Sequence, residues 1–309
     1  MTLETQQKPN APQLLGAQTH DLGGGFVVRR LLPAAQRQAV GPFLFFDHFG
    51  PVTVTPADNH DVRPHPHIGL ATLTYLFDGV IMHRDNLGYT QRIEPGAINW
   101  MTAGSGIVHS ERKPEAERDR TYINHGLHLW LALPESKQDV PASFVHTPAD
   151  AIPELQNGCA QVRLLVGQAL GAESPVATLS PTLYLDVALP AHGQWTLPML
   201  AQEQAVYGVQ GALQLDGQPL APHTLAVLTE STVLSAGPDG ARLAVVGGRP
   251  LGRRLMWWNF VGTSKERIEQ AARAWAAMDA TPGLGPVHGD TERIPLPTRI
   301  KISADKADF

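Results

Sequence analysis

The sequence has 309 residues, 43% of them hydrophobic and 17% charged, with a formal net charge of −5. That length and apolar content suit one large folded domain or two of about 150 residues each, and exclude a disordered chain. The acidic balance and the absence of a long basic block exclude the electrostatic footprint of a strong nucleic-acid binder, so no direct nucleic-acid partner is expected.

Residues 1–20 are polar, carry Gln, Pro and Asn, and read as a flexible N-terminal tail. A first strand is predicted within 24-GGFVVRRLLP-33, followed by the aromatic patch 42-PFLFFDHFGP-51 and its Gly-Pro turn. Strand then follows strand: LTYLF at 73–77, GVIMHRD at 79–85, Ile98 to Met101, and Ile107 to Glu111 beyond a Gly-rich turn. In 126-GLHLWLALP-134, Leu127, Leu129, Leu131 and Leu133 alternate onto one face. Short strands punctuated by turns predict an all-β sandwich or barrel over 21–140. A polar, proline-marked stretch marks a linker at 141–160, and a second series of strands opens a second domain over 161–309. That domain contains 211-GALQLDGQPL-220, whose Asp-Gly predicts a tight hairpin. Near the C-terminus, 262-GTSKERIEQAARAWAAMDA-280 predicts a short helix. Thr263 is its expected cap and Glu266 its capping-box partner, with Ile268, Ala271, Ala272, Trp275 and Met278 at helical spacing. The tail beyond it is irregular.

The single cysteine, Cys159, leaves no intramolecular disulfide and no thiolate zinc cluster, and reads as a structural thiol. No window approaches the ~18 apolar residues of a membrane span. The start, MTLETQQKPNAPQ, lacks a basic region followed by an apolar one. A soluble, cytoplasmic protein with no membrane partner is expected.

The chemistry concentrates in two pairs of residues spaced two apart. His65 and His67 stand in 63-RPHPHIGLATLTYLFDG-79, and His109 and Glu111 in 104-GSGIVHSE-111. Residues two apart in a strand share a face. If the two strands meet in a small barrel, three imidazoles and one carboxylate converge. Such a set favours a divalent first-row transition metal over calcium or magnesium. Four ligands leave open positions for a substrate or O₂, and with one carboxylate the site keeps a net positive charge that attracts an anionic ligand.

The segments PFLFFDHFGP, RPHPHIGLATLTYLFDG, HRDNLG (83–88), WMTAGSGIVHSE (100–111), GLHLWLALP and MWWNFVGTSKERIEQA (256–271) resemble, in order, the pirin family of the cupin superfamily. The resemblance implies a bicupin, with two jelly-roll β-barrel domains packed face to face. It implies a metal site in the N-terminal barrel, commonly iron(II), with manganese, nickel, cobalt, copper or zinc as alternatives. The family's ligands fall on His65, His67, His109 and Glu111, and the C-terminal barrel is expected to be degenerate. There His223 stands without an HxH pair and reads as structural or surface. Two positions depart from the family. Ala71 stands where a glutamate is usual, and His128 where glutamine is usual; His128 shares a strand face with Trp130 and reads as a hydrogen-bonded core residue or a pocket residue.

The resemblance implies two functional classes. One is a quercetinase-type dioxygenase, which opens the central ring of a flavonol with O₂ and releases carbon monoxide, with Glu111 as ligand and general base. Phe45, Phe46, Phe49, Trp100 and Trp130 are candidate pocket walls that otherwise read as barrel core. The other is a non-catalytic, metal-dependent, redox-sensing regulator that binds transcription factors or metabolic enzymes. A monomer is the default for a bicupin.

Overall fold

A computed structural model of the chain describes residues 11–278, 280 and 283–297. The first ten residues of the expected tail, and the last part of the expected C-terminal one, lie outside the described residues. The chain divides into two units, residues 1–17 with 152–250, and residues 18–151 with 251–309. Neither is continuous in sequence.

The first unit takes in β1 (Gln13–Gly16), which pairs antiparallel with the strand Thr224–Leu228 and joins a nine-stranded sheet. Residues 13–16 are therefore sheet, where a loose tail is expected. The long strands Glu203–Leu215 and Thr232–Gly248 run through this sheet, and a core that includes Val162, Leu185, Val187, Leu243 and Val245 fills it. The Asp216-Gly217 hairpin forms as expected, with both residues at positive φ, the requirement of a type I′ turn. Cys159 is half-buried against this core and its thiol donates to the carbonyl of Gln194. Nδ1 of His223 lies 3.4 Å from the hydroxyl of Tyr207, and the carbonyl of His223 accepts from the amide of Ala17, a structural role.

The second unit begins with β2 (Gln18–Asp21) and β3 (Val27–Leu32), followed by β4 (Phe43–Val54). Then come β5 (Val62–His67), β6 (Leu70–Asp78), β7 (Ile81–Asp85), β8 (Thr90–Ile93) and β9 (Ile98–Thr102). The series ends with β10 (Ile107–Arg112), β11 (Tyr122–Ala132) and β12 (Ser143–Thr147). They form a seven-stranded sheet in the order β12-β9-β6-β11-β4-β3-β2 and a four-stranded sheet in the order β5-β10-β7-β8. β12 falls inside the expected linker. It pairs with β9 and buries Phe144, so the sheet extends to Thr147.

The alternation read in β11 holds. Leu127, Leu129 and Leu131 are buried on one face, while His128 and Trp130 line a cavity on the other. In β4 the same alternation sends Phe45 and Phe49 into the cavity, and Phe46 is buried off it. Trp100, the other expected wall residue, is buried off the cavity too; its indole donates to Thr102.

The C-terminal helix, α1 (Lys265–Ala276), belongs to this second unit, not to the degenerate barrel with which the sequence groups it. Its cap is Ser264, whose side chain accepts from the amide of Arg267. Thr263 is unavailable as a cap because its hydroxyl is bound by the Gln138 side chain. The buried stripe Ile268, Ala271, Ala272 and Trp275 packs with Trp257 and Phe260 on Ile68 and Val108. Met278 lies past the helix and is exposed. No helix among the described residues is long and apolar enough to cross a membrane.

Between β5 and β6 the chain turns at Gly69, with φ 69°. A Cβ there would stand 2.1 Å from the backbone oxygen of Val261. Both the left-handed conformation and the contact demand glycine. Gly69→Ala is expected to lower the unfolding free energy by about 3 kcal/mol, read by urea denaturation.

Candidate metal centre

β5 and β10 are antiparallel neighbours, and their register sets His109 directly opposite His65 and Ile107 opposite His67. Alternation places the three imidazoles on one face of the pair, where His65 lines a cavity, and Ile68 and Val108 on the other, where α1 covers them. His65, His67 and His109 each offer a ring nitrogen, and these atoms lie within 4.8 Å of one another. Ring centroids are 4.4 Å apart for His65–His109, 4.9 Å for His65–His67 and 5.1 Å for His67–His109.

Each ring is anchored through Nδ1. His65 Nδ1 lies 2.9 Å from the Arg63 carbonyl oxygen and His67 Nδ1 3.2 Å from that of Asn259. His109 Nδ1 lies 3.4 Å from Nδ1 of His83. Nε2 of His67 and of His109 are buried with no hydrogen-bond partner. Leaving such groups unpaired costs about 1–3 kcal/mol each. Burial pushes all three imidazoles below their ordinary pKa, and His67 and His109 well below it, which keeps them neutral. Neutral nitrogens with lone pairs converging on one point are the donor set of a transition-metal ion, and the residues fit one.

Glu111 lies two residues along β10 from His109 and lines the same cavity as His65. A bulge interrupts the β5–β10 register between His109 and Glu111. The group within 4.8 Å consists of the three histidines. The Glu111 carboxylate takes part in a second network. Trp130 Nε1 donates to His128 Nε2 at 2.9 Å, so the ring hydrogen of His128 sits on Nδ1, which faces Thr74 Oγ1 at 3.0 Å. Thr74 in turn donates to Glu111 Oε1 at 3.5 Å. His128 is thus both hydrogen-bonded and a pocket residue. Ala71, three residues before Thr74 on β6, is fully buried.

The cavity has a volume of about 320 Å³, in the range of small-molecule sites. One wall is layered. The Phe45 ring stacks on Trp130 at 4.0 Å, and the Arg30 guanidinium lies 4.2 Å over Phe45. Arg30 is held in place by a bidentate pair with buried Asp47, at 2.8 Å for both contacts. Sequence reasoning did not single out Thr74, Arg30, Asp47, Asn259 or His83. His83 carried a readable signal: with Asp85 it repeats the His-x-acid spacing of His109 and Glu111. The others stand singly in strands or loops and have no such pattern.

Residues 25–131 match the protein family described as Pirin, and residues 184–280 the Pirin C-terminal cupin domain. A pirin-like protein of Caulobacter vibrioides is 43% identical over 91% of this chain and 97% of its own length. Human pirin is 33% identical over 81% of this chain and 86% of its own. A crystal structure of quercetin 2,3-dioxygenase from Acinetobacter baumannii superposes with a TM-score of 0.87 at 30% identity, covering 96% of this chain and 98% of that one.

The buried imidazoles make stability depend on pH. The unfolded chain takes up protons on these histidines below about pH 6.5, whereas the folded chain resists doing so. The contribution of these histidines to the stability of the metal-free protein is therefore full above pH 6.5 and is lost as the pH falls toward the depressed native values. Urea midpoints measured across that range should fall on acidification, and less steeply in a His67→Gln, His109→Gln double variant.

Proposed function

This chain belongs to the pirin family of the cupin superfamily, and on that premise we propose that it is a metal-dependent dioxygenase of quercetinase type, acting on flavonols or closely related flat phenolic anions. The observation that carries the reading is the convergence of three anchored, neutral imidazoles on one buried point. The likeness to a quercetin 2,3-dioxygenase over nearly the whole chain supports it. Iron(II) is the proposed occupant, and manganese, nickel, cobalt, copper and zinc suit the same donors. Glu111 is proposed as the fourth ligand.

When bound, the metal supplies a Lewis acid with open coordination positions for the substrate oxygen and O₂. The side chains do the remaining work. Glu111 takes the proton of the flavonol 3-hydroxyl, leaving an electron-rich anion that reacts with O₂. With alanine at position 71, no second acid stands at the family's usual place, so Glu111 serves as ligand and base together. Thr74 and His128 hold its carboxylate in place. The Arg30–Phe45–Trp130 stack offers a flat wall to an aromatic substrate and keeps water from the reacting centre. Both atoms of O₂ enter the opened-ring product as one carbon leaves as carbon monoxide.

The test is to load the purified protein separately with Fe(II), Mn(II), Ni(II), Co(II) and Cu(II) and follow loss of flavonol visible absorbance in air. Turnover is expected with at least one metal, and a fall of about 100-fold or more in His67→Ala and Glu111→Ala. Tight metal binding with no loss of any flavonol would overturn the assignment.

A further inference from the structure

His65 and His67 are anchored by backbone carbonyls, which can only accept. Their ring hydrogens must therefore sit on Nδ1, and their Nε2 lone pairs are free. His109 has no such guarantee. Its Nδ1 faces another imidazole nitrogen, Nδ1 of His83, at 3.4 Å, and an imidazole nitrogen can donate or accept. Two nitrogens cannot both donate across one gap, so something else must decide which of them carries the hydrogen.

That decision is made at Asp85. His83 Nε2 lies 3.0 Å from Asp85 Oδ2, and both side chains are almost fully buried. The other carboxylate oxygen, Oδ1, accepts from the amides of Leu87 and Tyr89 at 2.9 and 3.0 Å. The carboxylate is thus fixed in orientation, and its Oδ2 can only accept, so His83 carries its hydrogen on Nε2. The Phe144 ring, stacked on His83 at 4.2 Å and 14°, holds the plane of the imidazole. With that one hydrogen on Nε2, His83 presents a lone pair at Nδ1. The hydrogen of His109 sits on its own Nδ1, and His109 Nε2 is left bare, the nitrogen that is buried without a partner.

We propose that Asp85 and His83 are positioning residues of the metal centre: the chain Asp85–His83–His109 sets the tautomer of His109 and turns its Nε2 lone pair toward His65 and His67. Neither residue touches the metal point. The proposal rests on the reading of the three histidines as a metal site. Supporting partners of this kind are worth about 10–100-fold in metal affinity.

The decisive variant is Asp85→Asn. An asparagine there keeps an oxygen for the Leu87 and Tyr89 amides and so turns its NH₂ toward His83. His83 must then accept at Nε2 and carry its hydrogen on Nδ1, which forces the hydrogen of His109 onto Nε2, where the metal should bind. The same consequence follows for any isosteric change that replaces an acceptor by a donor at the end of such a relay. Two readouts apply. Long-range ¹H–¹⁵N spectra of the metal-free protein report which ring nitrogen carries each hydrogen. Competition against a chelator reports affinity for Co(II), whose visible spectrum reports its coordination.

In the wild type, His109 is expected to carry its hydrogen on Nδ1. In Asp85→Asn the hydrogen moves to Nε2 and Co(II) binds about 10–100-fold more weakly. His83→Phe, which keeps the stacking on Phe144, should show a comparable loss of affinity. His83→Asn places an amide oxygen near the position of Nδ1 and should recover affinity to within a few-fold. If Asp85→Asn does not fold, the two His83 variants decide the matter through the same contrast. Unchanged Co(II) affinity in Asp85→Asn and His83→Phe would overturn the proposal, as would a wild-type His83 bearing hydrogens on both nitrogens. A wild type that takes up no Co(II) would instead sink the metal reading, and the ring-nitrogen spectra would still decide the relay.

Discussion

Three imidazole nitrogens face one another almost wholly shielded from bulk solvent, and this constraint organises the second unit. Histidines 65, 67 and 109 are 6%, 0% and 1% exposed. Lone pairs that converge without a donor between them repel, and burial removes the solvent that would relieve them. A fold that keeps such a cluster must hold each ring by its other nitrogen. Each ring is held in that way, two by carbonyls and one by His83.

The surrounding architecture follows from that need. The rings stand on two paired strands whose register opposes His65 to His109. The reverse face of that pair, Ile68 and Val108, is sealed by α1 and by Trp257 and Phe260. The same C-terminal segment supplies the Asn259 carbonyl to His67, and the Val261 amide donates to the Ile68 carbonyl. The amide of Ile294 donates to Pro64, just before His65. The described residues of 251–297 therefore close the site, which explains why they belong to this unit although about a hundred residues of the other one intervene.

The two halves of the cavity divide the chemistry. The four-stranded sheet supplies His65 and Glu111, with His67 and His109 buried beside His65, and the seven-stranded sheet supplies the layered Arg30–Phe45–Trp130 wall with Thr74 and His128. Glu111 stands where they meet, on one sheet and hydrogen-bonded to the other. Asp47 keeps Arg30 paired, so the guanidinium serves the wall as a flat surface over Phe45.

The amino-acid sequence by itself determined the β class, the alternation of β11, the Asp216-Gly217 hairpin and the helical stripe of α1. It also determined that His65 and His67 share a face, as do His109 and Glu111. All of these are local, set by a period of two or 3.6 residues or by turn chemistry. Only the tertiary structure decided what depends on pairing between distant segments. It assigned β1, β12 and α1 to their units, turned Phe46 and Trp100 away from the cavity, gave the cap to Ser264 because Gln138 occupies Thr263, and set Asp85 and His83 behind His109. Periodicity shows which residues of a strand look the same way. It does not show which strand lies opposite, and the state of a buried imidazole depends on what that opposite strand presents.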